Sequence, residues 1–177
     1  LYKIYIAIIF SVSLLLFYLP VVILKSSEKT KKYTFKVFII WSWLFRILAL
    51  IHVRFSHQTP IPKGPYIILA NHTSYFDIFL LYSILPQHRF LFLGKAEILK
   101  YPLMKSFFKG LNIPVFRTNR LKAAQSFVQA KRALEKGWSL TIFPEGGIPD
   151  HQAPRIQEFK DGAFKLAKSS GVPIICL

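Results

Sequence analysis

His72 and Asp77 stand five positions apart in the run Asn71-His72-Thr73-Ser74-Tyr75-Phe76-Asp77. An imidazole titrates near neutrality and can both take and return a proton. A carboxylate at its other ring nitrogen fixes the tautomer and stabilises the imidazolium that forms. The pair therefore suits a general base and its orienting partner. Two plainer readings stand beside this one. Ser74-Tyr75-Phe76-Asp77 fits a helix-capping box, in which Asp77 only satisfies a backbone amide. His72 can also be a core histidine paired to a carbonyl.

A second constellation is Phe143-Pro144-Glu145-Gly146-Gly147. Its two glycines let backbone amides approach a bound group closely, although a plain turn has the same composition. The third is Asn112-Ile113-Pro114-Val115-Phe116-Arg117-Thr118-Asn119-Arg120. A guanidinium at Arg117, just before a helix N-terminus, suits a phosphate monoester. In so basic a chain it can equally be a solvated surface residue.

The elements that would bring these residues together alternate. Apolar runs at 66–70, 90–93, 113–116, 139–143 and 172–175 read as strands. Segments 77–85, 102–109, 119–136 and 162–169 read as helices. The helix at 119–136 has Ala123, Ala124, Phe127, Ala130 and Leu134 on one face, Asn119 as candidate cap and Gly137 past its end. Alternation of this kind implies an α/β fold, a mostly parallel sheet flanked by helices. Such sheets place chemistry at the carboxyl edge of their strands. His72, Arg117 and Glu145 each follow a strand, so they are expected on one edge.

Lys and Arg number 24 against 8 Asp and Glu, a formal charge of +16, in a chain that is 53% hydrophobic with 17 Phe. The basic excess implies an anionic partner, and the apolar content favours a membrane surface. The basic residues are spread along the chain without a recognised nucleic-acid-binding motif, so no nucleic-acid partner is expected. Residues 4–24 are apolar and long enough to cross a bilayer, which takes about 20 residues. No small-residue cleavage site follows them. The basic link 25–32 belongs on the cytoplasmic side. The second apolar stretch, 35–53, is interrupted by Lys36, Ser42 and Arg46. If both stretches spanned, the rest of the chain would lie outside, away from cytosolic activated substrates. A membrane-associated helical hairpin in the cytoplasmic leaflet is therefore expected, with the site facing the cytoplasm. Two ordinary core helices are the plainer alternative. The expected organisation is a membrane-anchoring hairpin at 1–56 and an α/β domain at 57–177, with a proline-rich connector from His57 to Pro65. The chain closes on Val172-Pro173-Ile174-Ile175-Cys176-Leu177, so further sheet and helix are expected past Leu177. The lone Cys176 excludes an internal disulfide and a cysteine-based zinc site, and its apolar neighbours suggest a core thiol.

Taken in order, His72-(four residues)-Asp77, Val115-Phe116-Arg117, Phe143-Pro144-Glu145-Gly146 and Val172-Pro173-Ile174 resemble the four motifs of glycerolipid acyltransferases. The match is to the 1-acyl-glycerol-3-phosphate (lysophosphatidic acid) acyltransferase family and covers roughly 65–177. Gly94-Lys95-Ala96-Glu97 and Phe159-Lys160-Asp161-Gly162-Ala163-Phe164 also resemble that family's connecting segments, and an N-terminal anchoring helix pair is typical of it. The resemblance implies a membrane-bound enzyme of phospholipid biosynthesis. It would move an acyl chain from acyl-CoA or acyl-carrier protein to the free hydroxyl of 1-acyl-glycerol-3-phosphate, giving phosphatidic acid. His72 would be the base and Asp77 its orienting partner. Arg117 and Glu145 would hold the glycerol phosphate, and amides near Gly146 and Gly147 would meet the developing oxyanion. Phe76, Phe79, Phe90 and Phe92 could help line an acyl groove, though core packing suits most of them.

No nucleophile elbow, P-loop or dinucleotide glycine pattern is present, and the histidines lack metal-ligand spacing. No cofactor or metal is expected beyond the thioester co-substrate, and Ser74 is read as a helix cap. Two departures from the family pattern concern the acceptor headgroup. Phe116 stands where the family often has Asp, and Gly147-Ile148 where it often has Thr-Arg. Arg120 or Arg155 is a candidate replacement for the second. The alternatives are a same-fold acyltransferase for another lysolipid, such as a lyso-amino-acid lipid, and a non-catalytic membrane-binding protein whose motif residues only cap helices.

Overall fold

The computed structural model describes residues 1–54, 56, 60–148 and 157–177. His57, Gln58 and Thr59 of the connector, and Arg155, lie outside the described residues. The chain divides into a helical unit, residues 1–59 and 76–87, and a sheet unit, residues 60–75 and 88–177.

The helical unit begins with α1 (Tyr2–Lys25), followed by the short α2 (Glu28–Lys31) and by α3 (Thr34–Leu48). Among the described residues α1 is the one helix long and apolar enough to cross a membrane, and little of it is buried by protein. Its Ser11 and Ser13 hydroxyls donate to the carbonyls of Ala7 and Phe10 at 2.8 and 3.0 Å, so neither needs water. At 15 residues α3 is shorter than the apolar stretch 35–53. Its length of about 22 Å falls short of a bilayer core of roughly 30 Å.

A Schellman turn ends α3 early. Leu50 N–H donates to Ile47 C=O and Ile51 N–H to Arg46 C=O, at 3.1 and 2.9 Å, and Leu50 takes a left-handed φ of 56°. A leucine there costs about 1–2 kcal/mol relative to the right-handed region. The Tyr2 and Tyr5 hydroxyls donate to the carbonyls of Ala49 and Leu48 at 2.7 and 2.8 Å. The start of α1 is thereby tied to the end of α3, and the two helices form an antiparallel pair.

The fourth helix, α4 (Asp77–Ile84), packs on α3. Ser42 Oγ donates to Phe79 C=O at 2.8 Å, and Trp41 meets the Phe79 ring edge-on at 4.4 Å. The boundary residue before α4 is Phe76, itself in the right-handed helical region.

The sheet unit holds β1 (Ile67–Leu69), β2 (Phe90–Lys95), α5 (Pro102–Phe108), β3 (Ile113–Val115), α6 (Arg120–Glu135), β4 (Ser139–Ile142), α7 (Gly162–Ser170) and β5 (Ile174–Cys176). The five strands run parallel in the order β3-β2-β4-β1-β5. β1 is buried and apolar throughout, as a parallel strand covered on both faces must be, whereas the central β4 alternates Leu140 and Ile142 with buried Ser139 and Thr141. On one face Ile67, Leu69 and Leu140 pack against Ala130, Ala133 and Leu134 of α6 and against Leu166 of α7.

Asn119 caps α6 as its sequence suggests, accepting from Lys122 N–H at 3.0 Å. The buried face is turned from the expected one, however: Ser126, Ala130, Ala133 and Leu134 face inward, while Ala124 and Phe127 are exposed. Ser126 sets this rotation, because its hydroxyl donates to Pro114 C=O beside β3 at 2.6 Å. Cys176, in β5, is exposed among the described residues, and β5 pairs with β1.

Gly94 in β2 lets α5 approach the sheet. A Cβ there would lie 2.8 Å from Cε2 of Phe108, which is buried. Gly94→Ala is therefore expected to displace that ring and lower stability by about 1–3 kcal/mol, measured by urea unfolding of the full chain. Unchanged stability would mean that the ring moves aside without cost.

Candidate active site

Because the strands are all parallel, the segments leaving β1, β4 and β3 emerge on one sheet edge. The register Leu69↔Ile142 puts the start of the His72 segment beside the turn that carries Glu145. Phe143-Pro144-Glu145-Gly146 is a turn with Pro at its second position, closed by Gly146 N–H to Phe143 C=O at 3.0 Å.

Glu145 is only 5% exposed. One of its carboxylate oxygens accepts from His72 N–H at 3.1 Å, and the other from Gln157 N–H at 3.2 Å. Backbone donors thus engage both oxygens of a buried carboxylate, which is what a buried charge requires. The His72 ring, also largely buried, stacks on Phe143 with centroids 4.1 Å apart and planes inclined by 16°. Position and ring plane of His72 are therefore set by residues of β4 and its turn. Asp77 opens α4 in the helical unit.

Gly146 has φ +82°, a conformation that favours glycine. A Cβ built on it would sit 3.0 Å from Lys160 Nζ and 3.2 Å from Arg117 Nη1. The turn thus brings Arg117, which follows β3, to the edge shared by His72 and Glu145. Around the equivalent position on Gly147 no described atom lies within 4 Å, so there the space is open. Phe116, the departure before Arg117, offers its ring face to Lys122 Nζ at 5.2 Å from the centroid. Arg120 is an exposed residue in the first turn of α6.

Lys160 is the residue that sequence reasoning passed over. It is one of 24 basic residues, in a segment read only as a connector. Its backbone N–H donates to Pro144 C=O at 3.0 Å, which pins that segment to the Glu145 turn. Nothing in its spacing from Arg117 signals this contact. Among the described residues no group of three or more His, Cys, Asp or Glu could hold a metal ion.

The acyltransferase family profile matches residues 52–177. This chain belongs to the acyltransferase family. A 1-acyl-sn-glycerol-3-phosphate acyltransferase from Haemophilus influenzae is 32% identical over 144 residues, covering 77% of this chain and 58% of the relative. A protein of the same name from Saccharomyces cerevisiae is 30% identical over 135 residues, covering 75% of this chain and 44% of the relative. The chain therefore spans about half the length of these curated relatives. Among solved structures, the crystal structure of the LPA acyltransferase PlsC from Thermotoga maritima superposes with a TM-score of 0.71 at 25% identity. It covers 98% of this chain and 70% of the other. A parallel sheet with motif-bearing turns on one edge is thus the family's architecture as this chain builds it.

Glu145→Ala leaves the His72 and Gln157 amides without their acceptor. Stability is expected to fall by about 1–3 kcal/mol, and both amides should exchange faster with solvent. Glu145→Gln, whose amide oxygen can still accept one bond, should lose less. Amide exchange followed by mass spectrometry, with urea unfolding alongside, checks this; equal protection in wild type and Glu145→Ala would contradict the assigned bonds.

Proposed function

We propose that this protein transfers an acyl chain from a thioester, acyl-CoA or acyl-carrier protein, to the free hydroxyl of 1-acyl-glycerol-3-phosphate, forming phosphatidate. The observation that carries this reading is the placement of His72. It is clamped through its backbone by Glu145, on the edge where Arg117 meets the Gly146 turn. The relatives' names point to the same acceptor.

In this reading the acceptor oxygen attacks the thioester carbonyl carbon while His72 removes its proton. Asp77 holds the imidazole in the required tautomer and balances its charge. The tetrahedral intermediate collapses with cleavage of the carbon–sulfur bond, and His72 returns the proton to the departing sulfur. Gly146 N–H is engaged by Phe143 C=O, so the Gly147 amide is the one that meets the developing oxyanion, and Arg117 takes the phosphate of the acceptor. Glu145 works as a positioning residue: its two oxygens are committed to backbone amides, so it acts through His72 rather than on the acceptor. The thioester is the only co-substrate the reaction needs.

The helical unit would deliver the lysolipid. Ile8, Val12, Leu15 and Leu19 on α1 and Ile40 and Ile47 on α3 are exposed apolar side chains. Lys29, Lys31 and Lys32 lie between the two helices. Such a surface suits association with an anionic leaflet, with the sheet unit on the cytoplasmic side.

The test is phosphatidate formation from lysophosphatidate and a labelled acyl donor by the full-length protein in detergent micelles. Wild type should form product, and His72→Ala should lose about 10²–10⁴-fold in rate. Full activity in that variant would remove His72 from the mechanism. Wild type acting only on other lysolipids would reassign the acceptor.

A further inference from the structure

Two cations converge on one point of the site edge. Lys160 Nζ and Arg117 Nη1 lie 3.0 and 3.2 Å from the position a Gly146 Cβ would take. The two charges are thus within about 6 Å of one another, where like charges repel. Among the described residues neither is paired with a carboxylate. Asp161, next to Lys160 in sequence, is engaged by Lys165 at 3.4 Å. Glu145, one residue before Gly146, spends its oxygens on the His72 and Gln157 amides.

Lys160 does not reach this place as a loose surface side chain reaches any neighbour. Its own N–H is bonded to Pro144 C=O at 3.0 Å, and Gln157, just upstream, is bonded to Glu145 at 3.2 Å. Two bonds thus hold the segment against the turn, one on each side of Glu158-Phe159. The missing side chain at Gly146 leaves the space into which both cations project, and no described atom lies within 4 Å of the corresponding position on Gly147. Both cations are exposed, so an anion can reach them from solvent.

From this cluster we infer that Lys160 and Arg117 together form the seat for a phosphate monoester, with Lys160 supplying the second cation. The inference rests on the acyl-transfer reading for its substrate, the glycerol phosphate head of the acceptor. It also accounts for Gly147-Ile148. A second basic side chain from that position is unnecessary, because the segment 157–160 brings one back to the same turn. A dianionic monoester relieves the repulsion between the two cations, takes the planar fork of Arg117 on two oxygens and leaves the third for the ammonium. Because the head does not react, the contact is equally strong before and during acyl transfer. Its loss therefore belongs in KM and not in kcat.

The experiment compares wild type, Lys160→Met and Lys160→Arg as full-length protein in detergent. Lys160→Met should raise KM for lysophosphatidate about tenfold, as expected for one charge-assisted bond. It should leave kcat and the KM for the acyl donor in place, and Lys160→Arg should restore the acceptor KM. Calorimetric titration with sn-glycerol 3-phosphate and with CoA separates the two phosphate sources without any turnover. Weakened glycerol 3-phosphate binding with unchanged CoA binding supports the seat, even if wild type makes no phosphatidate and the proposed reaction fails. Weakened CoA binding instead, or no change in either titration and in acceptor KM, overturns it.

Discussion

The carboxylate of Glu145 is the contact on which the site depends. It is buried, so its charge must be met by donors, and it is met by two backbone amides from segments far apart in sequence. One amide belongs to His72, which follows β1, and the other to Gln157, upstream of α7. A single ion thereby joins the connection after β1 to both ends of the connection between β4 and α7. Hydrogen bonds to a charged acceptor are stronger than neutral ones. The clamp therefore defines where the imidazole stands and where Lys160 can reach.

Around that clamp the turn chemistry is strict. Pro144 presets the turn, and Gly146 supplies both a positive φ and the absence of a Cβ that two cations require. Phe143 closes β4 and gives His72 a flat surface to stack on. Four adjacent residues thus divide the tasks of turning the chain, holding the His72 backbone, stacking on its ring and leaving room for Lys160 and Arg117.

The helical unit solves a different problem. Many of its outward side chains are apolar, and the hydroxyls of Tyr2, Tyr5, Ser11, Ser13 and Ser42 donate to the carbonyls of Ala49, Leu48, Ala7, Phe10 and Phe79. Polar groups arranged in this way need no water, which is the condition for residing in or against hydrocarbon. The Schellman turn at Leu50 stops α3 before it becomes as long as α1, whatever the apolarity of the residues beyond.

Much of the fold was legible because its signals are local. Apolar runs marked all five strands, and Asn119 and Gly137 bounded α6 to within a residue, because caps and periodicity act over a few positions. The four ordered motifs likewise pointed to the family before any contact was known. Local rules failed where distant partners intervened. Ser126 rotated α6 by bonding to Pro114.

By itself, then, the sequence determined the α/β class, the strand-end positions of His72, Arg117 and Glu145, and the apolar N-terminal helices. Spacing and hydropathy encode these. Only the tertiary structure decided that Glu145 bonds to the His72 backbone and that Lys160 joins Arg117 over Gly146. Those contacts link residues from 12 to 73 positions apart, through a sheet order in which β4 lies between β1 and β2. No local pattern records such pairings, because they arise from strand register and chain crossing rather than from neighbouring residues.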